Sequence, residues 1–250
     1  MSERPWYTIS AKAEEADLYI YDEIGAGFFE EGVTARALVA ELAALEVASI
    51  ALHINSPGGS VFEGQAIFNA IRSHPARVTT YIDGVAASIA SVVALAGDRV
   101  VMAANALFMI HDPFAAVIGT AADMRHMAEV LDQVTGTIRR TYLAKTRMAE
   151  DALARAMGEE TWYGAREALE AGFVDEVGEP LALAAGGVRV FDLSRFKRPP
   201  ARSLVTPAVQ PQESTPEPAA RAEASVPAAE ANRATDLVLV GGELLSFRRQ

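Results

Sequence analysis

Apolar and polar positions alternate along the first two hundred residues with two periods in turn. Leu18–Tyr21 is short and apolar-rich and reads as a strand. From Thr34, placed as an N-cap, Leu38, Val39, Leu42 and Leu45 recur at helical spacing. Ala48–Ile54 is a second β-run, ended by the turn Ser56-Pro57-Gly58-Gly59. The spacing of Ile67, Phe68 and Ile71 predicts a helix over Phe62–Ser73. Val78–Ile82 is β-branched and aromatic, hence a strand. Val85–Ala96 reads as a buried helix, and Arg99–Met102 and Leu107–Ile110 as strands. Such alternation predicts an α/β fold with largely parallel strands.

One helix has a different pattern. After Thr120 and Asp123, a capping-box pair, Met124, Met127, Leu131, Val134 and Ile138 follow at spacings of three and four. A helix reaching to about Arg147 would be roughly 40 Å long, more than a compact domain needs internally. Its single narrow apolar seam suits a peripheral helix packed on its own domain or, the reading preferred, a projecting helix that packs on another subunit.

The periodicity stops near residue 197. Seven of the 12 prolines lie from Pro199 onward, and Arg198–Ala234 contains no aromatic residue. A segment of that composition cannot bury enough apolar area to offset its ordering entropy. Three units are expected: a folded domain over 1–196, a flexible Pro/Ala/Glu-rich linker over 197–235, and a short apolar segment over 236–250. The last, with Leu237–Val240 and Leu244–Phe247 around Gly241-Gly242, suits a hairpin, a docking peptide, a truncated module or a frayed end.

Composition narrows the function. A net charge of -11 removes the basic footprint of a nucleic-acid binder. The absence of cysteine removes disulfides, thiol catalysis and cysteine-ligated metals. Met1–Glu15 lacks the basic-then-apolar order of a signal peptide. Val85–Gly97 is too short to span a bilayer, which takes about 20 residues. The expectation is a soluble, cytoplasmic protein without membrane contact.

Four short stretches carry chemistry. Asn55-Ser56-Pro57-Gly58-Gly59-Ser60 follows a strand, and its paired glycines let the backbone N–H groups approach a ligand or a developing oxyanion. It matches neither the Walker pattern nor GxGxxG. In Asp83-Gly84-Val85-Ala86-Ala87-Ser88-Ile89-Ala90, a serine opens an apolar helix where α/β folds bind ligands. Serine at such a place is also a common cap, and Ser91 is a rival one turn on. In Met109-Ile110-His111-Asp112-Pro113, a histidine ends an apolar strand and could serve a serine as base. His53, His74 and His126 fit that role less well. An acid to hold the histidine could be Glu160, Glu159, Asp112 or Asp175, and spacing does not choose among them.

Taken together and in order, these stretches resemble the Clp protease proteolytic subunit family, ClpP. The matching motifs are Ile54-Asn55-Ser56-Pro57-Gly58-Gly59, Gly84–Ala90, Met109–Pro113 and Glu160-Thr161-Trp162 with Gly172-Phe173-Val174-Asp175. The likeness covers roughly Ile20 to Val177. Arg4-Pro5-Trp6-Tyr7 and the Glu-Thr-Trp element look most like the phage head-maturation branch. The resemblance implies a spiral of ββα units with a projecting handle helix over Thr120–Arg147, shared in architecture with the crotonases. It implies Ser88 as nucleophile, His111 as general base and Glu160 as acid, with Asp112 as fallback. The backbone N–H groups of Gly59 and Ile89 match the family's oxyanion donors. Gly58, Gly59, Ser60, Asp112, Pro113 and Phe114 fall where the family binds peptide.

The reaction so implied is peptide hydrolysis through an acyl-enzyme, with no metal or cofactor. The family forms homo-oligomeric rings, heptameric or stacked in pairs, and some members work with an AAA+ unfoldase. The phage branch acts on scaffold and capsid proteins. Phe114-Ala115-Ala116 stands where relatives carry glycines, and the long tail is foreign to the housekeeping enzyme. The alternatives are a housekeeping-type ATP-dependent subunit, a crotonase-type acyl-CoA enzyme and a non-catalytic assembly protein.

Overall fold

The computed structural model describes residues 6–25, 34–179, 191 and 193–199, with the backbone of 236–240 and 243–247. Most of the linker expected over 197–235 lies outside the described residues. The strands are β1 (Tyr7–Lys12), β2 (Glu15–Ile20), β3 (Ser49–Ser56), β4 (Arg77–Ala87), β5 (Arg99–Ala103), β6 (Leu107–Ile110), β7 (Ala115–Val117), β8 (Thr161–Gly164), β9 (Glu176–Gly178), β10 (Asp236–Val240) and β11 (Glu243–Phe247). The helices are α1 (Ala35–Ala43), α2 (Val61–Ser73), α3 (Ile89–Ala94), α4 (Ala121–Lys145), α5 (Glu150–Gly158) and α6 (Ala165–Ala171).

The main sheet runs β1-β2-β3-β4-β5-β9, and its β2, β3, β4, β5 and β9 are mutually parallel. The α/β expectation is met. Alternation along β3 buries Ile50, Leu52 and Ile54 beneath the helices and leaves Ala51 and His53 half-buried. Parallel sheets usually bury both faces. Here the second face covers part of itself with aromatic rings. The His53 ring stacks between Tyr19 and Tyr81, with centroids 4.6 and 5.1 Å away. His53 also lies 2.8 Å from the buried Asp83 carboxylate.

The buried helix expected over Val85–Ala96 is not what forms. β4 continues to Ala87, and only Ile89–Ala94 is helical. Val85, Ala86 and Ala87 pair in parallel with Leu107, Phe108 and Met109 of β6. A short apolar run fits a buried strand or a buried helix equally by period. The ladder to β6 overrides the helix propensity of the alanines. The first half of β4 pairs with β5 and the second half with β6, so β4 links the main sheet to the β6–β8 pair. The consequence is local: Ser88 stands at a strand-to-helix turn.

The capping box of α4 is formed, with Thr120 and Asp123 each bonded to the other's backbone N–H. Along its 25 residues only Met127, Ile138 and Tyr142 are buried. Met127 joins Ala115, Val117, Val130 and Leu131 in a small cluster apart from the main core. The N-terminal half of α4 therefore rests on β7, and Met124 is 53% exposed. The apolar C-terminal segment forms the antiparallel hairpin β10–β11, and β10 pairs antiparallel with β7.

Candidate active site

The site forms where β4 and β6 end side by side. Ala87 is in register with Met109, so the next residues of both strands emerge at one sheet edge. The Ser88 N–H donates to the Met109 carbonyl at 3.1 Å. Ser88 has φ 56° and ψ -131°, a left-handed conformation that costs a side-chain-bearing residue about 1–3 kcal/mol. That turn aims the hydroxyl out of the sheet edge, and Ser88 Oγ lies 2.7 Å from His111 Nε2.

The glycine turn is fixed by close backbone approach. A Cβ on Gly58 would stand 2.6 Å from Ser88 Cβ, and one on Gly59 would stand 2.2 Å from the Ile24 carbonyl oxygen. Ile24 N–H donates to Gly58 O at 2.8 Å, and Ser60 N–H donates to Ile24 O at 2.9 Å. This two-bond clamp does not use the Gly59 N–H, and Gly59 lines the same cleft as Ser88. Asn55 Oδ1 accepts from Val85 N–H at 3.2 Å, and Ser56 Oγ donates to Asp22 O at 2.6 Å. Ile89 opens α3, so its N–H is one of the helix-start groups without an intrahelical acceptor. Gly59 and Ile89 thus flank Ser88 from two elements.

His111 lies between two aromatic edges, Phe114 at 5.9 Å and Phe196 at 5.7 Å between ring centroids. Burial pushes its pKa down to about 4; the Glu160 charge opposes this, and Arg195 and Lys197 reinforce it. The imidazole is therefore neutral near pH 7 and able to accept a proton.

Glu160 is buried, at φ 56°, and it is close enough for its charge to act on His111. Its carboxylate is nevertheless engaged elsewhere. It accepts from Lys197 N–H at 2.8 Å, Arg198 N–H at 2.7 Å and Trp162 Nε1 at 3.4 Å. Burial works to raise its pKa, but the Arg198 and Lys197 amides, the Trp162 indole and His111 together hold it below the usual carboxylate range. Among the described residues no hydrogen bond joins Glu160 to His111.

The remaining candidates scatter. Asp112 is half-buried with Oδ1 lacking a hydrogen-bond partner, and burial raises its pKa against the pull of Arg139 and Lys197. Asp112 is not among the charges that shift His111. Glu159 is exposed beside Arg198, and Asp175 binds Lys145 and the Val100 N–H. Gly59, Pro113 and Phe114 line the cleft beside Ser88. Ser60 instead caps α2, its side chain accepting from Glu63 N–H. Ser91 is fully buried; its hydroxyl donates to the Ser88 carbonyl and shares a 2.7 Å hydrogen bond with Tyr142. Among the described residues no three His, Asp or Glu side chains gather as a metal site requires. No helix there is long and apolar enough to cross a membrane.

Two contributions are invisible in the motifs. Tyr142 of α4 supports the serine turn through Ser91. The segment Leu193–Pro199 walls the cleft with Arg195 and Phe196. Its sequence signal was slight: one aromatic residue among basic ones, just before the proline-rich run.

The Clp protease family model matches residues 2–180. The ATP-dependent Clp protease proteolytic subunit 3 of Streptomyces coelicolor is 37% identical over 157 residues, covering 60% of this chain and 72% of that protein. Subunit 1 of Streptomyces avermitilis is also 37% identical, over 156 residues covering 60% of this chain and 71% of that protein. Subunit 3 of Rhodococcus jostii is 35% identical over 130 residues, covering 51% and 64%. The chain is a member of the Clp protease family.

Proposed function

We propose that the protein is a serine endopeptidase whose nucleophile is Ser88 and whose general base is His111. The observation that carries this reading is the 2.7 Å contact between Ser88 Oγ and His111 Nε2 at a strained strand-to-helix turn. A neutral imidazole accepts the hydroxyl proton as Oγ attacks the peptide carbonyl. The N–H groups of Gly59 and Ile89 bind the oxygen as it becomes negative, and the start of α3 adds favourable potential. The imidazolium then protonates the leaving amine, and water cleaves the acyl-enzyme by the same route in reverse. Glu160 is the acid that stabilises the imidazolium, since its charge is the one that favours protonated His111.

The substrates in this reading are proteins, held as extended chains beside Gly59, Pro113 and Phe114. The working form is a homo-oligomeric ring in the cytoplasm. The exposed Met124 and the weakly buried first half of α4 favour packing of that helix on a neighbouring subunit. Clp protease subunits are named ATP-dependent, so an AAA+ unfoldase is a candidate partner. The Pro-rich tail favours the head-maturation branch, with scaffold and capsid proteins as substrates. The division remains a proposal: a catalytic unit over 1–196, a linker over 197–235 and a short C-terminal segment over 236–250.

The test is hydrolysis of an unfolded casein-type protein by the full chain and by Ser88→Ala. Loss of cleavage in the variant, with oligomeric state unchanged, supports the reading. Affinity for an acyl-CoA without peptidase activity would instead favour the crotonase-type alternative. Neither activity would leave the assembly-protein alternative.

A further inference from the structure

The carboxylate next to the catalytic histidine is held by the wrong partners for catalysis. A serine hydrolase needs its acid on the histidine Nδ1–H, where it fixes the tautomer and stabilises the imidazolium. Here both Glu160 oxygens bind backbone N–H groups of the chain's own later segment, Lys197 and Arg198. Those two bonds are charge-assisted and partly buried, and charge-assisted bonds are the strong class of hydrogen bond.

The same segment acts on His111 directly. Phe196 packs its edge on the imidazole and on Trp162, and is itself buried among Val85, Ala87 and Met109. Arg195 reaches across the glycine turn, donating to the Pro57 carbonyl at 3.2 Å and pairing with Glu23 at 2.5 Å. Arg195 and Lys197 place two positive charges near an imidazole that must become positive during the reaction. Burial and these two charges weaken the base.

Leu193–Pro199 belongs to no strand of the sheet, and the contacts that tie it to the cleft include the Phe196 ring, Arg195, the packing of Leu193 and the Glu160 carboxylate. Farther along, β10 lies antiparallel on β7, pairing Val238 with Val117 and Val240 with Ala115. β7 begins directly after Phe114, so a second part of the tail also docks beside the cleft.

We propose that Leu193–Pro199 is an inhibitory strap, which parks Glu160 on its own amides and whose withdrawal lets Glu160 turn to His111 and switch on hydrolysis. This rests on the reading of Ser88 and His111 as the catalytic pair.

The test uses the full chain and a fluorophosphonate probe that labels an activated serine. The double variant Arg195→Ala/Phe196→Ala should label Ser88 faster than the unmodified chain by roughly tenfold or more. In the same variant the His111 imidazole, followed by NMR, should titrate above its strapped value of about 4 and toward 6.5. Glu160, Arg195, Lys197 and the Ser88 hydroxyl are the groups facing it.

A second pair guards against misfolding. The chain has no cysteine, so Glu23→Cys/Arg195→Cys can be tethered by a reducible bis-thiosulfonate. The tether should suppress labelling and reduction should restore it. Equal labelling in all forms overturns the strap and leaves the hydrolase reading standing. Slower labelling in the double variant, with its fold intact, also overturns it, because the segment would then be positioning Glu160 for catalysis. A shifted His111 titration with no labelling of Ser88 in any form overturns the hydrolase reading rather than the contact.

Discussion

Ser88 Oγ and His111 Nε2 are 2.7 Å apart, although 23 residues separate them in the chain. The distance follows from one pairing: Ala87 lies opposite Met109, so the residues that follow both strands meet at the same edge. Any substitution that slips this register separates the pair without touching either side chain.

The acid can be assigned by a pair of isosteric changes. Glu160→Gln removes the charge that favours protonated His111, whereas Asp112→Asn removes one that does not act on it. In the Arg195→Ala/Phe196→Ala background, where Glu160 is free to turn to His111, we expect kcat/KM to fall by roughly 10²–10⁴ for Glu160→Gln and to stay near the background value for Asp112→Asn. The reverse order, measured on a peptide substrate, would move the acid role to Asp112.

Gly59→Ala should damage stability and catalysis together. The added Cβ would meet the Ile24 carbonyl oxygen at 2.2 Å, and φ is +147°, a conformation unsuited to a side chain. Strain of this kind costs about 1–3 kcal/mol, and relief by moving Ile24 or Gly59 would displace the Gly59 N–H. The expected result is a lower urea midpoint with kcat falling more than KM rises. A variant with normal kcat would remove Gly59 from the oxyanion role.

The Ser91–Tyr142 hydrogen bond predicts an asymmetry. Tyr142→Phe leaves Ser91 still donating to the Ser88 carbonyl, so its cost should be small, about 1 kcal/mol. Ser91→Ala strands the Tyr142 hydroxyl in full burial and should cost more, about 1–3 kcal/mol. Chemical denaturation of the two variants gives the comparison directly; equal losses would contradict it.

The His111 shift sets a pH window. Its folded pKa is lowered to about 4 from 6.5, so the unfolded chain binds the proton first as pH falls. The contribution of neutral His111 to stability is therefore complete above about pH 6.5 and is lost between that pH and about 4. Glu160, also lowered, loses its contribution as pH falls through its folded value. Unfolding midpoints from pH 7 to 4 should decline, and His111→Gln should flatten the decline between 6.5 and 4. An unchanged slope in that variant would place the pH dependence elsewhere.

Much of this was legible in the sequence. The α/β class and most elements followed from periodicity, and α4 was given by its seam and by Thr120 with Asp123. The strand end of β4 was not, because Val85-Ala86-Ala87 carries no period that separates strand from helix and its partner in β6 lies some twenty residues away. Ser88 and His111 could be singled out by position, since each ends an apolar run. Glu160 could not be separated from its rivals, because burial and the amides that bind it are tertiary facts. Tyr142 and Phe196 carried no motif at all. Each matters through a partner more than fifty residues away in the chain.

The most direct measurement of the central claim is the location of a fluorophosphonate adduct by peptide mass spectrometry on the folded full-length chain. One adduct per chain, on Ser88, lost in Ser88→Ala and strongly slowed in His111→Ala, is the predicted result. An adduct on another serine, or unchanged labelling of the Ser88→Ala chain, would contradict it.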